Sequence, residues 1–264
     1  TLIYGLAGVV NLAHGQIAIL GAVIVSLLMG AGWAAVPAAI AGILAAGLLL
    51  LILDLTLMRP VYRVHGEHRI LLGLLLMLGV GFVVDGYLNW KYPIESLSLR
   101  IGGDPIPILG VKMSTGSLLA SAITIVAGLL LATFFRVTTL GRGVRSVIQD
   151  EQGARLVGIN PSTVRSFVFL LSGILAGLVA VTRSMTAPQL SSLGISLTTL
   201  ALIVAVVGGL GSVSGAFLAG VLLGIVDRFS STYIGQFYTA VILLLCAAGM
   251  IVLRPSGLLG KASR

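Results

Sequence analysis

Long apolar runs alternate with short polar stretches along the chain, from its first residue almost to its last. Several of these runs approach the roughly 20 consecutive apolar residues that a helix needs to cross a bilayer. The pattern predicts an all-α, polytopic integral membrane protein with about eight transmembrane segments, some of them broken or re-entrant. The predicted apolar segments are residues 1–10, 17–33, 37–58, 70–88, 116–135, 166–182, 197–210, 216–226 and 237–253.

Two regions depart from the simple alternation. The first apolar run has no basic residues ahead of it, whereas a secretory signal would have them, so we expect it to be the end of a first span whose N-terminal part is missing from the sequence. Residues 89–115 contain Gly102-Gly103, Pro105 and Pro107, which are turn signals. This second region is predicted to be an external loop with a short hairpin.

Two polar interruptions fall inside the apolar pattern, at Asn11–Gln16 (NLAHGQ) and at Gly208–Gly215 (GGLGSVSG). Irregular backbone at membrane depth is tolerated only where protein or a cavity satisfies it, so both interruptions are predicted to line an interior cavity. For the first one, an ordinary polar loop at the cytoplasmic surface is the alternative. The second interruption resembles Gly5–Gly15 loosely, since both contain GLxxV followed by a glycine, as two halves of an internal repeat would. The candidate cavity-lining residues are Asn11, His14, Gly15, Gly209, Gly211, Ser212 and Ser214.

The longest polar stretch is residues 136–165, which carry five arginines and the pair Asp150-Glu151 in a chain with only 9% charged residues. Short loops rich in lysine and arginine stay on the cytoplasmic side of a membrane. Eleven of the 16 Lys and Arg residues lie in 59–69, 136–165 and 254–264, and the other five lie in the alternate loops. This asymmetry predicts that residues 136–165 lie in the cytoplasm.

Composition and motifs exclude several functional classes. The net charge of +8 would suit nucleic acid, but the basic residues lie in short loops beside apolar runs, so they indicate membrane topology and no nucleic-acid partner. The sequence contains no phosphate-binding loop, no nucleophile elbow and no zinc-spaced His/Cys cluster. These absences argue against a membrane enzyme and against a metal site.

Acidic residues within the apolar segments are few. Asp54, Asp85 and Asp227 each lie near the end of a predicted span, where pairing with a neighbour such as Arg59 or snorkelling is expected. No acidic relay is left for the bilayer centre. An ion-coupled carrier is therefore disfavoured, although backbone carbonyls could still bind sodium.

The sequence resembles the permeases of the LivH/LivM branched-chain amino-acid family of ABC importers, and within that family the LivH branch. Four blocks, in order over nearly the whole chain, carry the resemblance: Gly8–Gly15, Thr139–Asn160, Gly208–Ala216 and Leu253–Gly260. The resemblance implies one transmembrane permease domain over residues 1–264, located in a bacterial-type inner membrane. The candidate cavity-lining residues would then line the translocation pathway.

In such importers the partners of this chain would be a second permease subunit, homologous or identical, two ATP-binding subunits, a periplasmic solute-binding protein and membrane lipid. ATP would be hydrolysed in the partner subunits. The resemblance thus implies a transport subunit that is not an enzyme and that holds no cofactor of its own.

The resemblance also implies a cytoplasmic coupling loop at residues 136–165, with a short coupling helix at roughly 143–157. Asn160 would cap the following helix, with Pro161 at its first position. Binding of lipid phosphate is the alternative role for Arg142 and Arg145. The residues expected to couple to the ATP-binding subunits are Arg142, Arg145, Asp150, Glu151, Gly158 and Asn160.

The transported solute stays open at this stage. The acid-poor, apolar interior suits branched-chain amino acids, and close relatives with the same blocks transport urea or short amides. A passive channel or an ion-coupled carrier without ATPase partners is the alternative from another class, and a structural membrane scaffold is a remote one.

Overall fold

The computed structural model describes residues 1–64, 66–93, 96–99, 106–108, 111–254 and 257–259. The apolar runs form helices because a helix satisfies its own backbone hydrogen bonds where no water is present. A π-helical turn, Asp54–Met58, joins α3 to α4. The helices are α1 (Leu2–Ala7), α2 (His14–Gly30), α3 (Ala35–Leu53), α4 (Arg59–Val61), α5 (Glu67–Lys91), α6 (Thr115–Val137), α7 (Thr139–Gln149), α8 (Glu151–Leu156), α9 (Pro161–Ser184), α10 (Gly194–Gly208), α11 (Val213–Tyr233) and α12 (Gln236–Leu253).

Five helices in the described ranges are long and apolar enough to cross a membrane: Ala35–Val61, which runs from α3 through α4, and α5, α6, α9 and α11. Three more, α2, α10 and most of α12, are apolar but shorter. Large apolar side chains such as Leu75 and Leu130 point away from the protein, as lipid-facing residues do. The multi-pass helical architecture is confirmed, whereas the predicted number of about eight segments corresponds to five full-length candidates and three shorter helices.

Helices α2, α3 and α9 pack closely because glycines replace side chains where they meet. A Cβ atom on Gly173 of α9 would collide with the carbonyl oxygen of Ala46 in α3, and one on Gly177 would lie 2.8 Å from Ile43 Cα. Small residues spaced four apart allow this approach of two helix backbones.

Strands are few and short in the described part of the chain. Ile106–Ile108 (β2) pairs antiparallel with Val111–Met113 (β3), which is the hairpin expected in the loop after α5. Ser96–Leu97 (β1) also pairs antiparallel with Gln189–Leu190 (β4), which the sequence did not predict. This second ladder ties the loop after α5 to the segment that leads into α10.

Two breaks interrupt the helices. The first break, residues 8–13, separates α1 from α2, and the second break, residues 209–212, separates α10 from α11. Val9 packs against Gly73 of α5, and Ala13 packs against Gly81, about two turns further along the same helix. The first break therefore runs along α5, and α2 continues against the same helix.

Candidate functional site

A cavity of about 440 Å³, called here the central cavity, lies between α1, the first break, α6, α9, α10 and α11. Its walls are mainly apolar. Its polar lining comes from Tyr4, Asn11, His14, Ser172, Thr198 and Ser214. A mostly apolar cavity of this size with a few convergent polar groups is typical of a site for a small ligand.

A second cavity, of about 550 Å³, lies between α1, α7 and the second break. It shares Leu2, Tyr4, Ala132, Leu210, Val213 and Ser214 with the central cavity, so the two spaces adjoin. Arg145 and Ile148 of α7 form its far wall, together with Gly211 and Ser212. The two cavities together reach from the first break to the polar stretch 136–165.

The predicted cavity-lining residues divide into two groups. Asn11 and His14 line the central cavity, Gly211 and Ser212 line the second cavity, and Ser214 lines both. Gly15 and Gly209 line neither of the two. Gly15 serves close packing instead, and Gly209 provides a backbone turn with positive φ.

The first break begins at Gly8, which ends α1 in the left-handed conformation with φ 66°. Asn11 Oδ1 accepts a hydrogen bond from the backbone N–H of Ala13 at 3.0 Å. Asn11 Nδ2 is buried and makes no hydrogen bond within the protein. Ala13 precedes α2 without a side-chain cap for the helix. The break therefore presents an unpaired amide donor beside an uncapped helix N-terminus.

Gly15 joins the start of α2 to the start of α10. Its backbone N–H donates to Thr198 Oγ1 at 2.9 Å, and that hydroxyl lies 3.0 Å from Gln16 Oε1. A Cβ atom at position 15 would collide with the carbonyl oxygen of Gly194. Only glycine allows this contact, so Gly15 determines how closely α2 and α10 approach.

The second break is built from backbone. Gly209 and Gly211 have φ values of 99° and 91°, a region that favours glycine. Ser212 then caps α11 by accepting from the Gly215 N–H at 3.1 Å. The C-terminal segment packs on this break, because Leu258 donates its N–H to the Val207 carbonyl at 2.9 Å.

The polar stretch 136–165 contains two helices instead of the single coupling helix expected at 143–157. Helix α7 starts earlier than expected because the Thr138 hydroxyl caps it by accepting from the Gly141 N–H at 3.0 Å. The chain then breaks at Asp150, whose backbone is extended and whose carboxylate accepts from the Gln152 N–H at 2.9 Å. Asp150 is thus a cap between two helices, a role that the charge pattern alone did not reveal.

The end of this stretch follows the sequence expectation. Gly158 adopts φ 82° after α8. Asn160 caps α9 by accepting from the Ser162 N–H at 3.0 Å, and Pro161 occupies the first turn. This cap and turn connect α8 directly to α9.

The other candidate coupling residues differ in their surroundings. Arg142 and Asp150 are exposed. Arg145 donates a hydrogen bond to the carbonyl of Phe135 at the end of α6. Glu151 does not face solvent alone, since it forms ion pairs with arginines from three places in the chain.

Glu151 pairs with Arg155 of α8 at 2.7 Å and with Arg69 of α5 at 3.9 Å, and it also pairs with Arg165 of α9. Partial burial by itself would raise the pKa of the Glu151 carboxyl, but hydrogen bonds and charges from Arg165, Arg155 and Arg69 outweigh burial and lower the pKa. The carboxyl is therefore ionised at neutral pH.

Tyr62 and Asp54 extend this network toward α3. The Tyr62 ring lies under the guanidinium groups of Arg69 and Arg165, at 5.3 and 4.5 Å from its centroid. The Tyr62 hydroxyl and the Ser166 hydroxyl each donate to Asp54, both at 2.6 Å. Burial, and then the charge of Asp54, raises the pKa of the Tyr62 hydroxyl, so it stays a donor. We call Asp54, Tyr62, Arg69, Glu151, Arg165 and Ser166 the Glu151 cluster.

Asp54 differs from expectation, because its partners are Tyr62 and Ser166 and not the neighbouring Arg59. Its side chain is almost fully buried, with 1% exposure. A buried carboxylate needs such donors, and two hydroxyl groups supply them here.

Sequence patterns missed an apolar tip on the polar stretch. Leu156 is 89% exposed and Val157 is 74% exposed, at the end of α8 and beside Gly158. Exposed aliphatic side chains next to charged ones are typical of contact surfaces. The sequence shows two large apolar residues between Arg155 and Gly158, but it does not show whether they are buried or exposed.

No three His, Cys, Asp or Glu side chains in the described ranges come together to hold a metal ion.

A bundle of helices with lipid-facing apolar sides, an internal pair of adjoining cavities and a capped two-helix stretch at one end is the architecture of a membrane permease. The chain belongs to the family described as branched-chain amino acid transport system, permease component, which matches residues 1–253.

Relatives match over almost the whole chain. The high-affinity branched-chain amino acid transport system permease protein LivH of Escherichia coli is 25% identical over 99% of this chain and 89% of its own length. The corresponding protein BraD of Pseudomonas aeruginosa is 27% identical, with the same coverage of both chains. The L-arabinose transport system permease protein AraH of Escherichia coli is 28% identical but covers 56% of this chain and 40% of its own length. No solved structure matches this chain.

Proposed function

We propose that this permease is one membrane subunit of an ATP-driven ABC importer that translocates branched-chain, aliphatic amino acids across the inner membrane. The single observation that carries the proposal is the central cavity, whose apolar walls meet a few polar groups at the first break. Family membership and the names of the relatives support the same solute class.

The chemistry of the central cavity suits an aliphatic amino acid. Leu129, Leu175, Leu202 and Phe217 provide apolar walls for a branched side chain. The N-terminus of α2 carries a partial positive charge, which favours a carboxylate close to it. The unpaired Nδ2 of Asn11 adds a hydrogen-bond donor at the same place. A zwitterionic solute with an aliphatic side chain therefore finds matched surroundings.

The translocation pathway in this proposal runs through both cavities. Asn11 and His14 contact the solute in the central cavity, and Ser214 lies where the two spaces adjoin. Gly211 and Ser212 border the exit through the second cavity. Gly15 and Gly209 belong to the pathway indirectly, since they hold the helices that form its walls.

Residues 136–165 form the cytoplasmic coupling loop of the proposed importer. The α7–α8 pair docks on the ATP-binding subunits, with Leu156 and Val157 as its apolar contact. The fixed turn after α8 makes the loop and α9 move together, as a rigid-body transmission requires. Polar contacts with the ATP-binding subunits come from Arg142, Arg145 and Asp150, Glu151 couples the loop to the rest of the permease, and Gly158 and Asn160 form the turn.

The complete importer would contain a second permease subunit, two ATP-binding subunits and a periplasmic solute-binding protein. The binding protein delivers the solute, and the ATP-binding subunits hydrolyse ATP. This chain contributes the pathway and needs no cofactor of its own.

The test is copurification followed by reconstitution. The full-length chain is tagged and extracted in mild detergent, and its partners are identified by mass spectrometry. The recovered complex is placed in liposomes with its binding protein, and uptake of labelled leucine and of urea is compared with and without ATP. We expect ATP-dependent leucine uptake and recovery of an ATPase and a second permease.

Three outcomes would contradict parts of the proposal. Uptake of urea in place of leucine would overturn the solute, although not the importer. Uptake that persists without ATP would identify a channel or an ion-coupled carrier. A chain that elutes alone and transports nothing would indicate a scaffold.

A further inference from the structure

The Glu151 cluster joins four elements that are far apart in the chain. Asp54 lies in the π-helical turn after α3, Arg69 in the first turn of α5, Glu151 at the start of α8, and Arg165 with Ser166 near the start of α9. Of these elements, α8 alone is a short helix outside the candidate spans. The cluster is thus the polar connection between the polar stretch and three long helices.

Helix α8 has little apolar attachment of its own. Ala154 is the one buried residue among its six. Glu151 adds a polar contact with the bundle, because its carboxylate faces Arg165 and Arg69. A displacement of α8 therefore acts directly on these ion pairs.

Because Arg69 and Arg165 are largely buried, they depend on Glu151 as an ion-pair partner. Arg165 is only 4% exposed and Arg69 is 20% exposed. Because little water reaches these two guanidinium groups, water cannot fully compensate them for the loss of the Glu151 carboxylate. Arg155 is 63% exposed, and it moves with α8 because it lies on the same helix. A buried ion pair contributes little net stability, whereas leaving one partner unpaired is strongly unfavourable. Such a pair holds elements in register more than it stabilises the fold.

Tyr62 carries the connection one step further. Its ring stacks under both arginines, and its hydroxyl donates to Asp54 in the π-helical turn. Asp54 also accepts from Ser166 of α9. Movement of either arginine is therefore transmitted to the end of α3 as well as along α5 and α9.

We infer that Glu151 is a positioning residue that locks α8 to α5 and α9, so that displacement of the coupling loop moves the helices around the two cavities. The inference rests on the proposed function. It assigns Glu151 a role inside the permease, whereas the other polar coupling residues face the ATP-binding subunits. Glu151 holds the loop in register with the bundle, and docking depends on the exposed surface of α7 and α8.

The test compares Glu151→Gln with Glu67→Gln in the complete reconstituted importer. Glutamine keeps the size of the side chain and removes its charge. Glu67 is a matched control because it is an exposed glutamate in the first turn of α5, two residues from Arg69. Three quantities are measured: copurification of the ATP-binding subunits, the rate of ATP hydrolysis, and the amount of solute imported per ATP hydrolysed.

We expect Glu151→Gln to copurify with its partners and to hydrolyse ATP, while solute imported per ATP falls at least about fivefold, the lower end of typical coupling between sites. Glu67→Gln should keep the wild-type ratio. A purely structural defect would lower the amount of complex without changing this ratio.

Two outcomes would overturn the inference while leaving the proposed function intact. One is a wild-type ratio of import to hydrolysis in Glu151→Gln. The other is a folded Glu151→Gln chain that no longer binds the ATP-binding subunits, which would make Glu151 a docking contact. A wild-type complex without ATP-dependent uptake would overturn both proposals.

If Glu151→Gln does not accumulate in the membrane, Arg69→Gln decides the question. Arg69 is more exposed than Arg165 and lies at the outer limit of ion-pair distance from Glu151, so its replacement is milder. A reduced import-to-hydrolysis ratio in Arg69→Gln supports the lock, and an unchanged ratio rejects it.

Discussion

The first break lines the central cavity with a polar residue, whereas the second break takes its form from glycines with positive φ. Asn11 of the first break and His14 at the start of α2 line the central cavity. The second break borders the second cavity with Gly211 and Ser212, in a chain path that needs two glycines with positive φ. The second break also touches α1, since a Cβ atom on Gly5 would lie 3.3 Å from Gly211 Cα.

The two breaks differ in what a mutation can change: side-chain chemistry in the first break and the shape of the backbone in the second. Side chains can be exchanged to suit a solute, so under the proposed function the first break is the part that selects the solute. Backbone in the left-handed region tolerates few substitutions, so in the same proposal the second break sets the shape of the exit. A side-chain substitution at Asn11 should therefore alter transport with little change in stability, and glycine substitutions in the second break should alter both.

The largest expected effect is that of Gly15→Ala. Gly15 lies next to the first break and allows α2 and α10 to pack closely. The added methyl group would collide with the Gly194 carbonyl, and overpacking of this kind lowers the free energy of unfolding by about 3 kcal/mol. Thermal unfolding in detergent measures the effect. Gly79→Ala is the control, because nothing lies within 4 Å of a Cβ atom there. Equal unfolding midpoints for the two variants would show that α2 and α10 can separate freely.

Asn11→Asp tests whether the first break reads the charge of the solute. Aspartate keeps the oxygen that accepts from the Ala13 N–H, but it replaces the unpaired amide donor by a second oxygen. A carboxylate facing the carboxylate of an amino acid costs about 2 kcal/mol or more, so leucine uptake should fall more than about tenfold. The initial rate of uptake is measured at saturating ATP, with the unfolding midpoint as a check on folding. Undiminished uptake would remove Asn11 from the solute-binding groups.

A pair of glycine variants compares the two breaks directly. Gly211→Ala and Gly8→Ala each place a methyl group on a residue with positive φ, which costs about 1–2 kcal/mol of stability. Nothing lies within 4 Å of a Cβ atom on Gly8, whereas Gly211 borders the second cavity. Both variants should unfold at lower temperature, and only Gly211→Ala should also slow uptake. If both slow uptake equally, the distinction between the two breaks fails.

The smallest expected effect is that of Ser212→Ala, which removes the cap of α11. Loss of a serine cap lowers the free energy of unfolding by about 1 kcal/mol. Ser214→Ala provides the comparison, because the Gly215 N–H bonds to the Ser212 hydroxyl. A shift in unfolding midpoint for Ser212→Ala alone is expected. The same shift for both would place the stabilising contribution elsewhere in the second break.

Local signals account for what the sequence predicted well. The polar residues at 11–16 and the glycines at 208–215 stand out from apolar surroundings, and both become breaks beside a cavity. Asn160 followed by Pro161 is a helix start in any context, and α9 begins there. Each of these features depends on neighbours a few residues away, which a single sequence shows directly.

Contacts between distant residues account for what it missed. The expected single coupling helix is wrong because Asp150 caps a second helix, and Glu151 at the start of that helix finds Arg69 and Arg165 across the fold. The pairing of β1 with β4 joins residues before α6 to residues after α9. No local pattern contains these partners, because folding alone brings them together.

The π-helical turn at Asp54–Met58 sets the direction in which the side chains after α3 point around the helix axis. A π turn holds one residue more than the α turn it replaces. Winding the same five residues as an ordinary α-helix would turn everything that follows about the helix axis. Tyr62 would then leave Asp54, and both arginines would lose the ring beneath them. The phase of this one helix is thus part of what brings the two halves of the chain into contact.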